Sequence, residues 1–129
     1  SVRSLDEDMR DLVQERLHQV AEGTAAAKQC EITIEYERGY PITDNNEEAT
    51  QHAISVASSV SAVDTDTPPI MPSEDFAYML MEKPGAFIFL GNGDSQMLHN
   101  PEYIFDDEAI PFGSSWYAGM VEERLPITG

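Results

Sequence analysis

Two stretches of this 129-residue sequence call for sheets of different kinds. Residues 31–37, "EITIEYE", alternate strictly, with Ile32, Ile34 and Tyr36 on one side and Glu31, Thr33, Glu35 and Glu37 on the other. A period of two with one apolar side predicts a strand with one buried and one wet face, as in an antiparallel sheet. Residues 85–91, "GAFIFLG", are apolar throughout between two glycines. That run predicts a strand covered on both faces, in a parallel or mixed sheet with helices on each side. One chain holding both implies pieces of two domains. Gly39 and Pro41 punctuate "RGYPITDNN", so the join is expected near Tyr40–Asp44, dividing the chain into 1–41 and 42–129. The expected fold class is α/β with α+β pieces.

Helical spacing fills the intervals. In "SLDEDMRDLVQERLHQVAEG", Leu5, Met9, Leu12, Val13, Leu17 and Val20 form an apolar stripe. Ser4 with Glu7 reads as a capping box, and Gly23 as a stop. His18 and His52 fall off their helices' stripes and read as solvated residues. A second helix is expected from about Glu47 to Val60, capped by Asn45 or Asn46, burying Ala49, Ala53, Ile54, Ala57 and Val60. Ser73 reads as the cap of a short helix, "EDFAYMLME". A last helix is expected from Glu108 to Leu125, capped by Asp106 or Asp107, with Trp116, Met120 and Val121 inward and Pro111 in its first turn.

Charge narrows the function classes. There are 24 acidic against 7 basic residues, a formal charge of −17. Such a field repels phosphate backbones and anionic headgroups, so neither nucleic acid nor a membrane surface is an expected partner. No apolar run approaches the roughly 18–20 residues that span a bilayer. A single cysteine, Cys30, excludes an internal disulfide, favours a cytoplasmic setting, and reads as a packing residue rather than a nucleophile.

The chemistry concentrates in "GNGDSQMLHNPEYIFDDEAIPFG", residues 91–113. In open α/β sheets, ligands gather at the carboxyl ends of strands. His99 lies on the loop leaving that end of "AFIFL", with Asp94, Glu102, Asp106 and Asp107 near it in sequence. Spacing leaves it open between a surface histidine and a metal ligand or proton shuttle, because a catalytic zinc needs about three protein ligands and no HxxxH, HxH or CxxC is present. Glu74 and Asp75 of "PSEDF" are explained by a helix's first turn, where carboxylates are favoured.

Four ordered segments decide more than spacing does: "VRSLDEDMRDLVQERL", "YERGYPITDNNEEAT", "SEDFAYMLMEKPGAFIFLGNG" and "LHNPEYIFDDEAIPFGSSW". Together they resemble the C-terminal part of the metal-dependent amidohydrolases, the group of hippurate hydrolases, N-acyl-amino-acid amidohydrolases and auxin-conjugate hydrolases related to carboxypeptidase G2 and aminoacylase. The resemblance implies that residues 1–41 are the second half of a ferredoxin-like lid and dimerisation domain. Residues 42–129 are then the closing segment of an α/β/α zinc-peptidase-like catalytic domain.

It also implies hydrolysis of the amide bond of N-acyl amino acids, with two divalent metal ions (zinc, manganese, cobalt or nickel) and a glutamate that activates the bridging water. His99, in "LHNP", takes the place of a metal ligand. The other ligands, the catalytic glutamate and a lid histidine are expected upstream of Ser1, so no catalytic residue is assigned here and the chain by itself is expected to be inactive. Arg3 takes a position that meets a substrate carboxylate, and Ser73 and Glu74 one that orients substrate. Pro72 departs from the family, which commonly has glycine there; it removes an N–H and fixes φ. The alternative from another class is a non-catalytic dimerising module of the same descent.

Overall fold

The computed structural model describes residues 1–126, and among these all regular structure is helical. The chain forms two compact units that interleave in sequence: Ser1–Asp44 with Pro68–Lys83, and Asn45–Thr67 with Pro84 onward.

In the first unit, helix α1 runs Glu7–Lys28. Its N-cap is Asp6, whose carboxylate accepts the Met9 N–H at 2.7 Å, so the expected capping box at Ser4 does not form. Nor does Gly23 end it. A mid-helix glycine costs about 1 kcal/mol relative to alanine, and the following "TAAAK" is rich in the best helix former. The helix stops instead at Gln29, which takes the left-handed conformation (φ 52°, ψ 46°). The Cys30 N–H reaches back to Ala25 O at 3.1 Å and the Gln29 N–H to Ala26 O at 3.4 Å, a Schellman pairing. Cys30 is exposed, not packed.

Two charged side chains of α1 hold the segment that follows "EITIEYE". Arg38 donates to Asp11 and, at 2.9 Å, to Glu7; Glu7 also pairs with Arg10 at 2.6 Å and accepts the Ile42 N–H at 3.3 Å. Tyr40 then sets its ring edge-on to Tyr78 of helix α3 (Phe76–Glu82), with centroids 5.8 Å apart. Ala77 of α3 is fully buried. The expected inward stripe of α1 is not covered: Leu5, Met9, Leu12, Leu17 and Val20 are all exposed.

The second unit is built on helices α2 (Glu47–Val60) and α4 (Ile110–Arg124). Helix α2 has the expected bounds, with Asn46 as the cap accepting the Ala49 N–H at 3.0 Å. It buries Ala53 and Val56, the second of which alternation of the alanine stripe does not single out. A 3₁₀ turn, Asp107–Ala109, precedes α4, and Asp106 caps it through the Glu108 N–H at 3.0 Å. The two helices meet through small residues. A Cβ on Gly119 would stand 2.7 Å from Val56 Cγ1, and the Trp116 indole donates to Ala53 O at 3.1 Å. Val121, expected inward, is exposed.

Neither expected strand forms among the described residues. A strand exists by pairing, and each unit contains one of the two segments, 31–37 in the first and 85–91 in the second. In the second unit an asparagine substitutes for the missing neighbour: Asn45 donates to Phe87 O at 2.9 Å and accepts the Phe87 N–H at 2.7 Å. The Asn46 N–H adds a bond to Gly85 O at 3.0 Å.

What is buried is small. Ala53, Val56, Ala77 and Ala109 make up the buried apolar residues among those described. The chain exposes 10,599 Å², whereas two self-contained bodies of about 7 kDa would expose about 8,200 Å² between them. The difference, about 2,400 Å² by that scaling, includes side chains that a self-contained domain encloses, such as Phe89 and Leu90.

Two glycines give opposite expectations. Gly119→Ala should destabilise the chain by about 1–3 kcal/mol, the cost of overpacking a close approach. Gly23→Ala, with nothing near its Cβ, should stabilise it by about 1 kcal/mol; urea midpoints measure both.

The acidic network gives a third. Burial raises the Glu7 carboxyl, but bonds from Arg10, Arg38 and the Ile42 N–H outweigh this and hold it below its ordinary 4.5. Its contribution to stability is therefore present above about pH 4.5 and lost as pH falls through the lowered value. Glu7→Gln should flatten that part of the acid-denaturation profile, read as urea midpoints at stepped pH.

Candidate functional site

His99 sits where two turns meet. The Asn100 N–H bonds to Met97 O at 3.1 Å, closing a turn in which His99 is the third residue, with φ at 68°. Turns with a positive φ there favour glycine or asparagine. A β-carbon in that region costs about 1–2 kcal/mol. The next turn follows at once, with the Tyr103 N–H on Asn100 O at 3.0 Å, while the Asn100 side chain accepts the Glu102 N–H at 2.9 Å. The imidazole is thus presented outward on an exposed loop by a backbone bonded on both sides.

Some of the acidic residues near it in sequence have other places. Asp106 is engaged as the cap of the 3₁₀ turn, and Asp107 and Glu108 lie within that turn. Among the described residues no three of His, Cys, Asp and Glu gather in a geometry that holds a metal ion. The residues present therefore do not form a metal centre by themselves; His99 is a single candidate ligand.

Two of the other expected site residues do meet, within the first unit. The Arg3 guanidinium donates to Met71 O and, at a long 3.5 Å, to Ser73 Oγ. Ser73 is therefore a partner of Arg3 and not a helix cap; α3 begins later, at Phe76, after Asp75, which makes no side-chain capping bond. Glu74 is half-buried and its carbonyl accepts the Ala77 N–H at 3.3 Å. Arg3 and Ser73 are both exposed, so a guanidinium and a hydroxyl stand together in water, a pair that suits a carboxylate.

Two polar residues carry more than sequence inspection gave them. His52 is half-buried, its Nδ1 3.3 Å from Glu123 of α4 and its Nε2 3.9 Å from Glu48. His18 places its ring 6.5 Å from that of Tyr36. A helical wheel places Glu48 beside His52 but shows neither the Glu123 nor the Tyr36 contact, since each of those is made to another segment. Asn92, between two glycines in "GNG", bonds to residues 12 and 14 positions onward; the only sequence signal for it is the turn its glycines mark.

Comparison with known proteins decides the lineage. Residues 6–123 match the model of peptidase family M20/M25/M40. The chain belongs to that family. Hippurate hydrolase of Campylobacter jejuni is 36% identical over 128 residues, covering 97% of this chain and 33% of that enzyme. N-acetyldiaminopimelate deacetylase of Pediococcus pentosaceus is 32% identical over 127 residues, again 97% and 33%, and that of Streptococcus suis 34% identical over 114 residues, 87% and 30%. The chain thus spans about a third of the length of these relatives. No solved structure matches it significantly. M20 peptidases are generally metal-dependent, and membership fits an α/β zinc-peptidase-like fold. No helix among the described residues is long and apolar enough to cross a membrane.

The strain at His99 yields a prediction of its own. His99→Gly should raise stability by about 1 kcal/mol by removing the β-carbon from the left-handed region, whereas His99→Ala should give no such gain. Parallel urea titrations of the two variants check it.

Proposed function

We propose that this chain is the C-terminal part of an amidohydrolase that cleaves the amide bond of N-acyl amino acids, hippurate-like in class. In that enzyme residues 1–41 form the second half of a lid domain and the rest closes the catalytic domain. The observation that carries the proposal is His99: a residue that pays backbone strain, on an outward turn, in a chain whose family is metal-dependent. Strain of this kind concentrates at functional sites. Within the proposal His99 is one ligand of a site for two divalent metals, whose other ligands and catalytic glutamate lie in sequence beyond this chain.

Arg3 has a separate part, meeting the substrate carboxylate with Ser73 beside it and Glu74 next in the chain; the Arg3–Ser73 contact supports this. A planar, permanently charged guanidinium suits such a group. The uncovered apolar stripe of α1 and the unpaired 31–37 segment support further chain packing here, and a homodimer contact through residues 1–41 belongs to the same proposal. The setting we propose is cytoplasmic.

The test uses the complete reading frame, assayed with hippurate and N-acetyl amino acids before and after chelation. Activity should vanish with chelator and return with zinc, manganese, cobalt or nickel. His99→Ala should lower it about 100-fold or more, beyond the usual effect of residues that only support ligands. The 129-residue chain assayed alone should show no hydrolysis. Full activity in the His99→Ala enzyme, or hydrolysis by the short chain that depends on His99, would overturn the proposal.

A further inference from the structure

The loop that carries His99 is fastened at its base by a side chain that has no part in the function proposed above. The Asn92 carboxamide donates to Ile104 O at 2.6 Å and accepts the Asp106 N–H at 2.8 Å. Beside it, Ser95 Oγ accepts the Ile104 N–H at 2.8 Å. Both backbone groups of Ile104 are therefore taken by side chains from the start of the loop. Gly93, at φ 75°, turns the chain immediately after Asn92, and its α-carbon faces Asp106: a Cβ there would lie 3.5 Å from Asp106 Oδ2.

Apolar packing holds little of this loop, in which Tyr103 alone of the large apolar and aromatic residues from 97 to 104 is half-buried. Met97 is 82% exposed, Leu98 63% and Ile104 72%, so none anchors it against the helices. Polar bonds must do most of this, and those that tie its two ends together begin at Asn92 and Ser95. Asp106, held by Asn92, is also the cap of the 3₁₀ turn that leads into α4. The clamp thus joins the loop to the helix that packs on α2.

We infer that Asn92 is the positioning residue of His99: its carboxamide closes the loop and holds residue 99 in its left-handed conformation, with the imidazole facing outward. The inference rests on His99 being the functional group of its loop, as proposed above. Asn92 acts through the backbone and touches no reacting atom. It replaces the ladder bonds a neighbouring strand would supply, and it holds a backbone conformation that is costly for a residue with a β-carbon.

The experiment is NMR on the isotopically labelled product of the complete reading frame, with Asn92→Ala, Asn92→Asp and Ser95→Ala. Three signals are read: amide exchange at Asp106, the intraresidue N–H to Hα contact at His99 that marks a positive φ, and amide protection in α2 and α4. In Asn92→Ala, exchange at Asp106 should speed by about tenfold, the loss of one net hydrogen bond. The positive-φ signature at His99 should fade while the helices keep their protection.

Asn92→Asp retains the acceptor and should preserve protection at Asp106, a rescue that a general loss of structure does not give. Should Asn92→Ala lose helix protection as well, Asn92→Asp decides, because it keeps the acceptor for the Asp106 N–H but loses the donor to Ile104 O. With intact helices, a weakened His99 signature there upholds the inference and an unchanged one overturns it, whatever Ser95→Ala shows. An unchanged His99 signature in a folded Asn92→Ala chain overturns it outright. The outcome is separable from that of the proposed function, since a hydrolase indifferent to His99→Ala refutes the ligand role and leaves these signals untouched.

Discussion

Extended backbone with no strand beside it has no ladder partners for its N–H and C=O groups, and in this chain asparagine side chains supply several of those partners. The apolar run at residues 85–91 has no strand beside it among the described residues. Asn45 meets both polar groups of Phe87 near one end of the run, and Asn92, just past the other end, meets Ile104 and Asp106. The helices depend on this arrangement. Asn45 immediately precedes the cap of α2, and Asp106 is the residue before the turn into α4. The two carboxamides therefore tie the starts of the second unit's helices to the same extended segment.

Between α2 and α4 the packing is of a different kind. Ala53, Val56 and Gly119 bring the backbones close, and the cost of any added atom is set by the 2.7 Å that a Cβ at Gly119 would face. Such contacts bury little area, so they contribute little transfer free energy at about 25 cal/mol per Å². Their value is geometric. They fix one helix against the other so that the Trp116 indole reaches Ala53 O and His52 reaches Glu123. The large apolar residues, among them Phe89, Met79 and Val20, remain in water.

That division explains which features were legible in the sequence. Helix α2 was read with its bounds because its determinants are local: an asparagine cap, acidic residues in the first turn and a stripe of alanines. The end of α1 was misread because a single glycine is a weak signal against an alanine-rich continuation, and because the residue that does end it, Gln29, carries no mark of the left-handed conformation. The strands failed for a non-local reason. Alternation in 31–37 reports which faces a strand would offer, not whether a neighbour is present to pair with it. At the candidate site, the motif singles out His99 as a candidate, whereas the contact of Arg3 with Ser73 joins residues 70 positions apart, a separation at which no local pattern operates. Asn92 was hidden in a glycine turn for the same reason.

The loop around His99 then has a physical logic distinct from the rest of the chain. In the proposed ligand role, ordering the side chain on binding would cost affinity, and holding it beforehand avoids that cost. Most proteins do so by packing. Here packing is slight, since the flanking Met97 and Leu98 are solvent-exposed. What remains is a chain of directional bonds: Asn92 and Ser95 at the base, and the paired turns closed by the Asn100 and Tyr103 N–H groups at the tip. Directional bonds fix backbone torsions without enclosing the side chain. A histidine held this way keeps its ring open to whatever approaches while its φ is already committed, and its left-handed backbone is the cost that shows the commitment.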